Sequence, residues 1–344
     1  MFSDQPPLSP NALRGQIRGQ DGRRPGRMLV IGAGVAGLAV AHALAARGVD
    51  VTVAEISDGI FDSASWFAGG MLAPWCERES AEEEVVTLGK AAADWWDRAV
   101  PAEVQRRGTL VLARPRDASE LARFASRTSN HEAVDEAAIA ALEPDLAGTF
   151  RKGLYFSGEA HIDPRRVLAG LQSRLAAQGV TFRFATDGRT VQGYDHVIDC
   201  TGFGDSKPGL RGVRGEMLIL HAPDVSITRP VRLLHPRFPL YVVPRDDHHF
   251  MIGATMIETT DSRPVTVRSA MEFLNAAYGL HPAFGEASIV EMGVGIRPSY
   301  PDNLPRVTCA GNTISINGLY RHGFLLAPAM AEKAAALLFK DVET

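Results

Sequence analysis

The 344-residue sequence predicts an α/β fold in which a dinucleotide-type parallel-sheet unit is interleaved with an α+β unit built on an antiparallel sheet. Three observations carry that reading. A strand, a glycine-rich turn, a helix and a second strand follow one another within residues 28–55. The segments that would complete such a unit recur only after long interruptions. Those interruptions hold short strands in runs rather than regular helix–strand alternation, which is the pattern of a second, differently built layer.

Taken in order, Met28–Gly32 (MLVIG) reads as a short buried strand entering a glycine turn. Residues 35–47 (VAGLAVAHALAAR) are strong helix formers closed by Gly48. Residues 49–55 (VDVTVAE) alternate and are β-branched, so they form the second strand. Residues 80–107 predict a helix with Trp95, Trp96 and Val100 on its apolar face, Thr109–Ala113 a strand, and 117–146 further helix stopped at Pro144. Asp163-Pro164 caps a helix over 165–178 that ends at Gly179; strands follow at Val180–Phe184 and His196–Thr201. Residues 215–260 read as antiparallel strands (EMLIL, LYVVP, HFMIGAT), then a helix over 266–278 and the strand SIVEMGVGI. The last helix is expected over 327–340, with Pro328 in its first turn, where proline is tolerated. The dinucleotide domain is thus expected in three blocks, 27–85, 150–214 and 287–344, and the second domain in 86–149 and 215–286. Residues 1–26 read as a flexible extension.

Composition narrows the partners. Apolar residues make up 45% and charged residues 22%, and the net charge is −4, so nothing draws the chain to nucleic acid or an anionic membrane. No run of about 18 apolar residues suggests a membrane span, and the N-terminus lacks the apolar middle of a secretion signal. Cys76, Cys200 and Cys309 form no CxxC pair, which points to a reducing, cytoplasmic setting without disulfides or a metal. His248-His249 has no accompanying ligand set in the sequence and reads as a polar turn.

The most local chemical signal is Gly32-Ala33-Gly34-Val35-Ala36-Gly37, a GxGxxG pattern between strand and helix. Gly32 permits the turn, Gly34 lets backbone N–H groups approach a pyrophosphate, and Gly37 lets helix and strand pack closely. Glu55 ends the second strand where a carboxylate accepts bonds from a ribose diol, which disfavours a 2′-phosphate. These features suit FAD and NAD equally. The small-residue loop Ser63-Ala64-Ser65-Trp66-Phe67-Ala68-Gly69-Gly70-Met71-Leu72, standing where an NAD unit would proceed to its next helix, favours FAD.

With VIGAGVAGLA, ASWFAGGMLAP, YVVPR, GATM, GIRPS and NGLYRHGFLLAPA in place, the chain from about residue 27 resembles the glycine oxidases of the D-amino-acid oxidase superfamily, in particular those of thiamine biosynthesis. The resemblance implies an FAD-binding Rossmann-like domain of the glutathione-reductase-like type and a substrate domain on the antiparallel sheet. It implies FAD contacts at Val35, Ala36, Glu55, Ala64, Ser65, Gly69, Gly70 and Met71, and through Leu319, Tyr320, Arg321, His322, Gly323, Phe324 and Leu325 around the flavin. Substrate contacts would be Tyr241, Arg297 and Arg321, with Met256 narrowing the pocket. His322 departs from the asparagine expected there, 182–196 looks shortened so that no adenine contact is assigned, and Trp66-Phe67 makes its loop bulky.

These residues suit an amino-acid substrate. Arg297, fixed by Pro298, would grip its carboxylate through two parallel charged hydrogen bonds, with Tyr241 adding a third. Arg321 lies between Gly318 and Gly323, before a helix whose N-terminus would favour negative charge on the flavin. Arg297, Tyr241 and Arg321 are therefore the expected catalytic group. The expected reaction is hydride transfer from Cα to flavin N5, giving an imine, then glyoxylate and ammonia, with O2 reduced to H2O2. FAD is expected to be non-covalent, because Cys309 lacks an attachment pattern. A broader D-amino-acid or sarcosine oxidase or dehydrogenase, and a flavin-binding interaction protein, are the alternatives. The resemblance further implies a homo-oligomer and a partner in thiazole synthesis.

Overall fold

The computed structural model describes residues 26–204, 208–237 and 239–340, so the extension expected over 1–26 lies outside the described residues except for Gly26. In chain order the strands are β1 (Arg27–Ile31), β2 (Asp50–Ala54), β3 (Met71–Leu72), β4 (Thr109–Ala113), β5 (Glu132–Asp135), β6 (Lys152–Phe156), β7 (Ala160–His161), β8 (Thr181–Arg183) and β9 (His196–Asp199). They continue with β10 (Arg211–His221), β11 (Val231–Leu234), β12 (Leu240–Pro244), β13 (His249–Gly253), β14 (Ile257–Glu258), β15 (Ser288–Ser299), β16 (Arg306–Ala310) and β17 (Thr313–Asn317). The helices are α1 (Val35–Ala45), α2 (Pro74–Glu77), α3 (Glu83–Gly89), α4 (Ala92–Ala99), α5 (Ala118–Arg127), α6 (Glu136–Leu142), α7 (Pro164–Ala177), α8 (Val267–Leu280) and α9 (Gly323–Lys340).

One sheet runs β16-β17-β9-β1-β2-β8. Its centre is parallel, with Val30 of β1 opposite Val53 of β2 on one side and Ile198 of β9 on the other; β16 closes one edge antiparallel. Parallel strands must be covered on both faces, and Leu29, Val30 and Val53 are accordingly fully buried. Helix α1 is apolar nearly all round because it lies inside, packed against α9 and α7. The second sheet runs β14-β10-β13-β12-β11-β4-β6-β5, with the long strand β15 paired antiparallel to β10. Phe273, Ala277 and Leu280 of α8 fill one face of it against Leu218, Leu220, Val242 and Ile252.

Several elements differ from the sequence reading. The helix expected over 80–107 is two short helices, α3 and α4, and their Val85, Trp95 and Trp96 join the core beneath α1 and α9. That segment therefore packs on α9, which itself lies against β16 and β17 of the first sheet, and not with the second domain as the sequence suggests. Strands β6 and β15 show the converse: both fall in blocks read as dinucleotide-binding, yet both pair within the second sheet. The long helix expected over 117–146 is interrupted by β5, which hydrogen-bonds to β6. Helix α9 starts at Gly323, which leaves Pro328 inside it rather than in its first turn. Proline cannot serve the Phe324 carbonyl four residues back; the indole Nε1 of Trp96 donates to it instead, at 2.8 Å.

Candidate active site

The dinucleotide end is built where β1 turns into α1. A Cβ on Gly37 would stand 1.9 Å from the Gly32 carbonyl oxygen, so no larger residue fits this crossing of helix and turn. Gly34 supplies no side chain to cap α1; Ser65 does so from the distant loop, its Oγ accepting from Val35 N–H at 3.0 Å. The Glu55 carboxylate accepts from Ala33 N–H at 2.7 Å and Ser57 N–H at 3.1 Å, which holds it beside the turn with lone pairs to spare. The shortened segment after β8 runs alongside, Thr186 N–H donating to the Glu55 carbonyl at 2.9 Å.

The small-residue loop then crosses to the second sheet. Ala64 packs over Gly295, next but one to Arg297, and Gly69 lies against the Tyr241 ring. The bulk of Trp66 and Phe67 is spent on packing. Trp66 meets Phe61 edge-on with the Arg165 guanidinium over its face, and Phe67 joins Met217, Ile219 and Met251. Arg245 of the YVVPR motif, not among the expected site residues, ties the loop down by donating to the Gly69 carbonyl at 2.8 Å.

Beyond the loop, β12, β15 and the segment before α9 bring Tyr241, Arg297 and Arg321 together with Met256. Arg297 faces Val213 across the β10–β15 ladder, and its guanidinium lies over Gly215, where a Cβ would come within 2.2 Å of Nη2. Its Nη1 donates to the Thr255 carbonyl at 2.9 Å, and Thr255 is itself fixed by the Glu216 N–H bonding to its hydroxyl at 2.8 Å. Among the described residues no carboxylate forms an ion pair with Arg297. Burial lowers its pKa, with Tyr241 opposing and the Arg321 charge assisting that shift. Burial likewise raises the pKa of Tyr241, partly countered by Arg297 and Arg321, so its hydroxyl keeps the proton it could donate.

Arg321 has a partner that the sequence reading did not name. Its Nε donates to Glu77 Oε2 at 2.7 Å and its Nη2 to the same oxygen, while Nη1 reaches the Met256 sulfur at 3.3 Å. Arg232 approaches the other Glu77 oxygen at 3.3 Å. Burial alone would raise the Glu77 pKa, but the charges of Arg321 and Arg232 outweigh it and bring the carboxyl to about 2. His322 Nδ1 is 3.3 Å from Glu77 Oε2 yet not aligned for a hydrogen bond; burial lowers its pKa to about 4, so the ring is neutral at pH 7. No sequence pattern around Pro74-Trp75-Cys76-Glu77 singles out this glutamate.

Helix α9 starts beside the cluster. Gly323 lies against the Val35 side chain, so the N-termini of α1 and α9 adjoin. The side chains of Leu319, Phe324 and Leu325 are buried in the core, which leaves backbone N–H groups, not those side chains, to face a ligand. Ala36 and Gly37 on α1, and Gly323, Phe324 and Leu325 on α9, have no acceptor for their N–H groups among the described residues. Two adjoining sets of free donors, one at a glycine turn, fit a dinucleotide whose phosphates meet the first helix and whose ring meets the second. A surface cavity between Arg107, His161, Arg166 and Arg245 contains none of the expected site residues.

Two such helix N-termini beside a guanidinium that has no ion pair among the described residues fit an FAD-dependent oxidoreductase. The DAO family of FAD-dependent oxidoreductases matches residues 27–337, and the chain belongs to that family. A Rhizobium etli protein carrying the name thiamine biosynthesis oxidoreductase ThiO is 59% identical over 317 residues, spanning 92% of this chain and 97% of that protein. The glycine oxidase of Pseudomonas aeruginosa is 27% identical over 360 residues, spanning 91% and 94%. The crystal structure of the Bacillus cereus glycine oxidase superposes with a TM-score of 0.77 at 20% identity, covering 92% of this chain and 95% of that one, and shares its fold. The chain is accordingly an FAD-binding enzyme. No helix among the described residues is long and apolar enough to cross a membrane.

Proposed function

We propose that this enzyme oxidises glycine to glyoxylate and ammonia with O2 as the electron acceptor, in the thiazole branch of thiamine biosynthesis. The observation that carries the substrate class is Arg297, a half-buried cation with no ion-pair partner among the described residues, near a Tyr241 that holds its proton. A partly desolvated cation without a counter-ion favours an anion, and a substrate carboxylate would supply it. The relatives named for glycine oxidase activity and thiamine biosynthesis support the choice of glycine and of pathway.

In this reading Arg297 Nη2 and Nε take the carboxylate, since Nη1 is held by Thr255. Tyr241 donates to the same group, its ring set by contact with Gly69. Glu77 absorbs the charge of Arg321, so the carboxylate meets one anchor rather than two. Met256, contacted by Tyr320 and Arg321, limits the space for a side chain on Cα. Gly32, Gly34, Val35, Ala36, Gly37, Glu55, Ala64, Ser65, Gly69, Gly70, Met71 and the backbone of 319–325 would hold FAD, which when bound supplies a two-electron acceptor that O2 reoxidises. The residues of the chain bring Cα–H to that acceptor in a fixed orientation, and orientation is a large contribution to such a reaction. The test is a panel of glycine, sarcosine and D-alanine with protein whose cofactor has been identified. Peroxide, glyoxylate and ammonia from glycine in equal amounts are expected; no turnover of glycine by FAD-loaded protein would reject the proposal.

A further inference from the structure

The clearest group of unassigned ligand-type side chains lies at the far end of the β10–β13 pair. His221 ends β10 and His249 begins β13, directly opposite each other in the antiparallel register. Their imidazoles stack with centroids 4.7 Å apart and planes 30° from parallel. Asp247, in the turn between β12 and β13, has φ of 53°, in the left-handed region. One ligand atom from each of His221, Asp247 and His249 falls within 4.8 Å of the other two. His248-His249, which reads in the sequence as a polar turn without a ligand set, divides in the structure: His249 has two companions, while His248 Nδ1 is occupied by the Val225 carbonyl at 2.9 Å.

We propose that His221, Asp247 and His249 form a binding site for a zinc-class divalent transition-metal ion. Two details favour a site over a chance cluster. The Nδ1 of His249 bonds to the Asp246 carbonyl at 3.2 Å, which fixes that nitrogen as donor and leaves the Nε2 lone pair outward, as in ligating histidines. Asp246 is already paired with Arg166, whereas Asp247 has no ion pair among the described residues and keeps its charge for a ligand. Imidazole nitrogen excludes calcium and magnesium, and two nitrogens with one carboxylate suit zinc, water taking the fourth position. Ligand atoms of tetrahedral zinc stand about 3.4 Å apart. Rotation of the exposed Asp247 side chain and a small turn of the rings close the remaining distance.

The site is remote from Arg297 and Tyr241 in role, so its test does not depend on turnover. Untagged, FAD-loaded protein is stripped with chelator and titrated with zinc against a chromophoric competitor, with thermal melting in parallel. One zinc per chain and a raised melting temperature are expected, because a ligand that binds only the folded state stabilises it. His249→Ala and His221→Ala should each weaken binding by about tenfold or more, since even outer-shell partners of a metal are worth that much. Asp247→Asn should fall between them and the parent protein. X-ray absorption of the zinc-loaded protein should show nitrogen and oxygen neighbours only. Undiminished binding in the His221→Ala/His249→Ala double variant, sulfur in the first shell from Cys309, or no binding at micromolar zinc would each overturn the site.

Discussion

Replacing Glu77 by glutamine removes, without changing side-chain volume, the carboxylate that forms ion pairs with both Arg321 and Arg232. The size of the effect follows from titration. Those cations bring the Glu77 carboxyl from 4.5 to about 2, and at 1.36 kcal/mol per unit that is a contribution of about 3 kcal/mol at pH 7. Breaking a buried pair by removing one partner gives a similar figure, about 3–5 kcal/mol. The folded-state pKa is depressed, so this stability is complete above pH 4.5 and is lost as pH falls toward 2. Urea unfolding of the FAD-loaded protein at pH 7 should therefore show Glu77→Gln weaker by about 3 kcal/mol, and the parent's loss of stability between pH 4.5 and 2 should be much reduced in the variant. A second readout reports the site itself. With Arg321 released, two guanidiniums flank the cleft, and malonate should gain over acetate by about 10–100-fold, the worth of one further charged hydrogen bond. A loss of stability below about 1 kcal/mol, together with an unchanged malonate-to-acetate ratio, would refute the assignment of Glu77 as the counter-ion that leaves Arg297 as sole anchor.

Arg297→Ala should lower kcat/KM for glycine by roughly 100-fold or more, mainly through KM, with FAD content unchanged; parent-like steady-state kinetics would remove Arg297 from the substrate site. Gly37→Ala puts a methyl where only 1.9 Å separates it from the Gly32 carbonyl, so the turn must open and the purified protein should lose its 450 nm flavin absorbance. Glu159 is fully enclosed, one oxygen accepting from Cys76 N–H at 2.8 Å and the other without a partner; burial raises its carboxyl to about 7. Its raised pKa means that stability is complete below pH 4.5 and declines as pH rises through 7, by about 3 kcal/mol in all. Glu159→Gln should flatten that decline in urea titrations between pH 5 and 8, and an identical slope in both proteins would show that the carboxyl titrates normally.

What was legible in the sequence was whatever the backbone demands locally. The turn between β1 and α1 needs glycine at Gly32 and Gly37 for reasons of φ and contact distance, and β-branched alternation marks β2 without help from elsewhere. Sheet membership was less legible. β15 reads as a strand, but only its eleven-residue partner β10 decides that it belongs to the second sheet. β5 and β11, of four residues each, are too short to carry a period of their own and exist because β6 and β12 pair with them. Trp95 and Trp96 announce an apolar helix face; what that face packs against is decided by α9, more than 220 residues away.

The same distinction separates the site residues that motifs reveal from those they do not. Glu77 meets Arg321 across 244 residues of chain, and nothing near it in sequence distinguishes it from a solvated glutamate. Its role is a matter of charge count in an enclosed space. Arg232, Arg297 and Arg321 influence the Tyr241 hydroxyl together with Glu77, and the neutral His322 adds nothing at pH 7. Three cations stand against Glu77 and a Glu159 only partly ionised at pH 7, which leaves an excess of positive charge that surroundings of low dielectric tolerate poorly without a further anion. A substrate carboxylate on Arg297, as proposed, would offset part of that excess. The remainder lies beside the N-terminus of α9, so positive charge and helix dipole together would favour negative charge on a flavin held there. A neutral substrate would leave the cluster unbalanced at the first step, which is the physical reason to expect an acid rather than a simple amine in this cleft.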